Sequence, residues 1–67
     1  MINGANNMAL TFEAAVEIMK AHSINGRSLL DGLETVKYLL RTNEDELTDL
    51  DKRAFRLVIN TMRPLFV

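Results

Sequence analysis

No cysteine and one histidine, His22, occur among 67 residues, so neither a disulfide nor a multi-histidine metal site can brace this chain. A single domain of this length buries only about 60% of its unfolded surface and is marginal without some further support. What remains is apolar helix packing, within the chain or against a second copy. The composition suits that route: 48% hydrophobic, 25% charged, with a formal net charge of −1. That balance argues against a disordered tail and against a protein that coats DNA by uniform positive charge.

The hydrophobic periodicity predicts an all-α domain of three helices, at about 12–22, 28–42 and 49–63. Residues 1–10 read as a loose leader, because Asn3, Gly4, Asn6 and Asn7 favour turns. Met8, Ala9 and Leu10 are expected to fold back onto the core. Thr11 is a suitable N-cap for the first helix, with Glu13 in its first turn. Glu13, Glu17 and Lys20 share a stripe about 60° wide, and apolar residues take an arc of about 220°. That arc has room for two neighbours, which predicts a partner chain.

Asn25-Gly26 signals the first turn. Ser28-x-x-Asp31 has the form of a capping box, and Leu29, Leu33, Val36 and Leu40 make one tight stripe behind it. Gly32, beside the stripe, costs about 1 kcal/mol in a helix interior. It reads either as a tolerated glycine or as a point where another backbone comes close. Asn43 to Leu47 form an acidic loop. Thr48-x-x-Asp51 then opens the third helix, which is expected to stop near Arg63 because Pro64 disfavours helical geometry before it. The apolar tail Leu65-Phe66-Val67 is expected to pack on the core or on a second chain.

Charge is segregated along the chain. Residues 42–51 carry five acids and no base, whereas residues 52–67 carry Lys52, Arg53, Arg56 and Arg63 and no acid. On a helical wheel those four cations and Asn60 share an arc about 100° wide. Three readings stand open: a solvated face paired with the 44–51 acids, a docking face for an acidic protein surface, and a phosphate-contacting face. The neighbouring carboxylates repel phosphate, and few polar residues are placed to read bases, so nucleic acid ranks behind protein.

Catalysis has little foothold. His22, Ser23, Ser28 and several Asp allow a hydrolytic triad on paper, but a chain this small lacks room for the cleft a triad needs. The acidic stretch lacks the glycine and alternating oxygens of an EF-hand. The residues point to no cofactor, metal or small-molecule substrate. No apolar run exceeds three residues, so no membrane span is expected. Met1 to Asn7 has neither a cation nor an apolar stretch, and the expectation is a cytoplasmic protein without a signal peptide. His22 suits a capping role at a helix C-terminus or a pH-sensitive interface. Met8, Met19 and Met62 read as core filler or adaptable contact surface.

Glu17-Ile18-Met19-Lys20, the turn Asn25-Gly26-Arg27-Ser28-Leu29, the stripe to Leu33 and the late Leu57-Val58-Ile59 together resemble the small helical proteins of the AriR/YmgB type. The resemblance spans about 12–66. It implies a bacterial helical dimer that acts as a connector in two-component signalling, affecting biofilm formation and acid resistance, with DNA binding also proposed for the family. It implies no catalytic residue. Glu46-Leu47-Thr48-Asp49 and the helix after it are similar to Hha-type nucleoid modulators. The acidic loop is longer than the equivalent in the AriR/YmgB type, which bears on how the last two helices are placed. A phage-encoded inhibitor of a host protein fits the same composition.

The expectation is therefore a non-enzymatic regulatory protein: a homodimeric helical bundle that binds a partner protein with an acidic surface. Lys52, Arg53, Arg56 and Arg63 are the candidate docking face. Phe12, Val16, Met19, Phe55, Ile59 and Met62 are the candidate inter-chain or central contacts.

Overall fold

A computed structural model describes residues 9–66, with side chains as far as Arg63. It is all-α: α1 (Phe12–Ala21), α2 (Leu29–Thr42) and α3 (Asp49–Phe66), with a short 3-10 turn at Glu44–Glu46 before α3. The expected leader contacts of Met8 and the packing of Leu65, Phe66 and Val67 lie outside the described side chains. Ala9 is exposed, and Leu10 is half-buried against the core.

Local chemistry sets most helix ends. Thr11 sits in extended geometry, and its hydroxyl accepts from the Ala14 amide at 3.1 Å. Past the other end of α1, the His22 amide reaches back to Met19 O at 3.0 Å. Ser28 Oγ accepts from the Asp31 amide at 3.3 Å and opens α2. Thr48 and Asp51 form a reciprocal box: each side chain accepts from the other's backbone amide at 3.0 Å.

Two expectations about ends and caps need correction. α3 does not stop near Arg63 but continues through Pro64 to Phe66. Proline removes only the amide that would bond the Asn60 carbonyl, and Asn60 is exposed, so water can satisfy that group. The Ser28–Asp31 pair is only half a box. The Asp31 carboxylate turns away from Ser28 and accepts from the Ser23 hydroxyl (2.7 Å) and the amides of Ile24 (2.7 Å) and Asn25 (2.8 Å). It thereby folds the whole α1–α2 connection around one oxygen. Within that connection Gly26 has φ +94°, the left-handed region that disfavours a Cβ.

The core consists of Ala15 and Met19 from α1, Leu33 and Val36 from α2, Ala54 and Val58 from α3, and Leu47 from the connection. Met19, Val36 and Val58 are the largest side chains with no exposed surface. Leu47, read from the sequence as part of an acidic loop, plugs the core instead. The 3-10 turn reverses the chain and points this one apolar residue inward while its acidic neighbours stay outside.

α1 is the central element. It packs against both α2 and α3, which meet each other far less. The wide apolar arc of α1 is therefore covered within the chain, and its width does not by itself require a second molecule. The surplus apolar surface lies elsewhere, at Ile24, Leu30, Tyr38 and Leu50, which are 75%, 63%, 64% and 46% exposed.

Gly32 allows the α1–α2 contact. A Cβ built there would lie 1.9 Å from the Met19 carbonyl oxygen and 2.6 Å from its carbon, both backbone atoms. No rotamer change can relieve that clash, so any side chain must push the helices apart. Alanine would gain about 1 kcal/mol of helix propensity, while overpacking costs about 1–3 kcal/mol and more where backbone must move. Gly32→Ala should therefore lower the thermal midpoint, by roughly 5–15 °C for a chain of this size. A calorimetric scan showing an unchanged or raised midpoint would mean that the helices do not cross there.

Candidate functional site

The four cations proposed from the sequence all lie on α3 but do not behave alike. Lys52 Nζ is 3.0 Å from Glu44 Oε2, so the acidic 3-10 turn takes up this cation. Arg53, Arg56 and Arg63 are exposed and make no ion pair among the described residues. The reading of a face neutralised by the 44–51 acids holds for Lys52 alone. Asp49, one turn before Arg53, falls in the same arc, so the face is acidic at its N-terminal end and basic beyond it. This order complements the helix dipole, with Arg63 in the last turn.

The neighbouring acids are partly occupied. Glu46 accepts from the Asn43 side-chain amide at 3.0 Å. Asp51 bonds the Thr48 amide through one oxygen, and its other oxygen lies 3.1 Å from His22 Nε2. His22 and Asp51 are 24% and 16% exposed, so this contact ties the C-terminal end of α1 to the first turn of α3 with little water around it. Burial raises the Asp51 carboxyl pKa, but the Thr48 amide and His22 outweigh it, and the net position is below the ordinary value. Asp31 is also held low, by the Asn25 amide first and then by Ser23 and Ile24. Glu17 is held low mainly by Arg27, whose guanidinium is 2.8 Å away, with Lys20 at 3.5 Å.

Ser23 and His22 thus bond to different carboxylates, Asp31 and Asp51, and the triad that could be drawn on the sequence is not assembled. Among the described residues no group of three or more His, Asp or Glu is placed to hold a metal ion. No described helix is long and apolar enough to cross a membrane.

Of the six candidate central contacts, Met19 is fully buried, and Phe12, Val16, Phe55, Ile59 and Met62 are partly buried against the core of their own chain. Phe55 and Ile59 also form one wall of an open groove of about 170 Å³, whose other wall is Leu30, Leu33, Glu34 and Lys37 of α2. Leu30 was not singled out from the sequence. The signal available was the Leu29-Leu30 doublet, which sets Leu30 about 100° away from the main stripe. No family model, curated protein or solved structure matches the chain.

The lowered carboxyls give the fold an acid limb of definite sign. A folded-state pKa below the unfolded one contributes stability above about pH 4, and that contribution disappears as pH falls through the folded value. Asp51→Ala removes the reciprocal cap and the partner of His22, and should cost about 1–2 kcal/mol at neutral pH. The variant should also lose less stability than the parent between about pH 4 and 2. Parallel acid-titration curves for the two proteins would show that Asp51 does not carry this coupling.

Proposed function

We propose that this chain is a small non-enzymatic regulatory protein that docks on an acidic surface of a partner protein through the exposed arginines of α3. One observation carries the reading: Arg53, Arg56 and Arg63 stand on one helix face without an ionic partner among the described residues. Several nearby acids, meanwhile, are engaged within the chain. Guanidinium groups held ready on a helix suit bidentate contact with carboxylates. Their long-range effect is mainly to speed and orient encounter.

The resemblance to AriR/YmgB-type proteins supports a setting for such docking, as a bacterial connector to two-component signalling that influences biofilm formation or stress response. With α1 covered on both flanks, self-association is not needed to hide it, and the hetero-partner is the reading carried forward. A phosphate-binding role would use the same arginines, but Asp49 in their arc and the acidic turn at 44–46 repel a polyanion.

The test is a partner retained from extract of the source cell and then measured by surface plasmon resonance against the full chain. The double variant Arg53→Ala, Arg56→Ala should associate roughly tenfold more slowly at low salt and show a flatter salt dependence. An unchanged association rate would remove the docking face. Retention of DNA at about 50 mM salt that disappears by about 200 mM would favour the nucleoid-type alternative instead.

A further inference from the structure

We propose that the groove between α2 and α3 receives an amphipathic helix with acidic flanks, supplied by the partner protein. This rests on the partner-binding reading above and specifies what part of the partner is held. The groove has an apolar lining of Leu30, Leu33, Phe55 and Ile59, and no α1 residue contributes to it. It therefore opens on the side of the α2–α3 pair away from the central helix. Leu30 leaves 63% of its surface exposed at this rim, whereas Leu33 is nearly buried at the base.

The walls dictate the shape of the occupant. Leu30 and Leu33 are three residues apart on α2, and Phe55 and Ile59 are four apart on α3, so each wall is a ridge one helical turn long. Two such ridges with a valley between them accept the stripe of a third helix. A peptide that binds as an added strand needs a sheet edge, and the described residues contain no strand. A helix forms its backbone bonds internally and asks only for apolar contact. Laid in the groove, it would complete a four-helix arrangement around α2 and α3.

Charge dictates the sign of its flanks. Lys37 lines the α2 wall one turn beyond Leu33. On α3, Arg56 follows Phe55 directly, and Arg63 lies one turn beyond Ile59 on the same side. Within the lining Lys37 and Glu34 cancel, and it is Arg56 and Arg63, on the arc of α3 next to Ile59, that make the surroundings net positive. A second copy of this chain would present the same positive rim, and a two-fold contact would set like charges together. An occupant with glutamates or aspartates beside its apolar stripe meets no such penalty.

The experiment selects a displayed library of helical peptides, about 16 residues or four turns long, against the full chain and reads amide chemical shifts with the enriched sequences. Enriched peptides should combine an i, i+4, i+7 apolar stripe with net negative charge and shift the amides of Leu30, Leu33, Phe55 and Ile59. Leu30→Glu, at an exposed position that should leave folding intact, is expected to weaken binding about tenfold or more. Lys37→Glu provides a second variant, which should disfavour acidic peptides in particular. Glu13→Gln, exposed on α1 and outside both the groove and the arginine face, should change affinity less than about twofold. Absence of enrichment, cationic winners, or shifts confined to another face would overturn the proposal. So would a concentration-dependent dimer that Leu30→Glu dissociates, because the groove would then belong to a second copy. A cellular partner sensitive to the Arg53/Arg56 pair but indifferent to Leu30→Glu would remove the groove and leave the docking face. Indifference to both would remove both.

Discussion

The backbone contact between Gly32 and Met19 is what the rest of the molecule is arranged around. A chain without cysteine has no disulfide to offset its lost conformational entropy and leans on packing, which works at short range. Removing the Cβ at one position lets α2 settle against the α1 backbone itself. Val36 and Leu33, about 40° and 100° round the wheel from Gly32 on one side, can then reach Ala15 and Met19. The third helix approaches through another small residue, Ala54, and fills the space beside it with Val58. Small residues set the spacing, and Met19, Val36 and Val58 occupy the volume that the spacing leaves.

Polar contacts complete what this small core begins. Asp31 gathers the α1–α2 connection, Asp51 joins the start of α3 to the end of α1 through His22, and Glu17 draws in Arg27 from the connection. Each uses a carboxylate to hold the connection at a helix end, where backbone groups lack partners. These ties also shape the surface. Acids engaged in local structure are less available to neutralise the arginines of α3, so a protein with a near-zero net charge still shows a basic stretch. The exposed arginines and the internal carboxylate ties are two sides of one distribution of charge.

The central position of α1 changes where a partner is to be sought. An apolar arc wide enough for two neighbours finds both of them in its own chain. Because α2 and α3 lean on α1 more than on each other, a valley is left between them, and Leu30 stands exposed at it. That valley adjoins the Arg56 and Arg63 arc of α3, so open apolar surface and exposed cations fall on one part of the molecule. Lys52, although in the same arc, is held by Glu44 and belongs to the scaffold.

Three helices, the Thr11 and Thr48 caps, the Asn25-Gly26 turn and the grouping of Arg53, Arg56 and Arg63 were all legible in the sequence. Each depends on residues within one or two turns of each other, where periodicity and capping chemistry act. The inward turn of Leu47, the continuation of α3 past Pro64 and the departure of Asp31 from Ser28 were not. In each case residues outside the local pattern offered a better partner or less resistance than the sequence rule assumes. The reading of Gly32 as a contact point needed the same information, since only the crossing of two helices reveals what stands where its Cβ would be. Local preference determined the elements; competition among distant surfaces for contact decided which of their faces remained open.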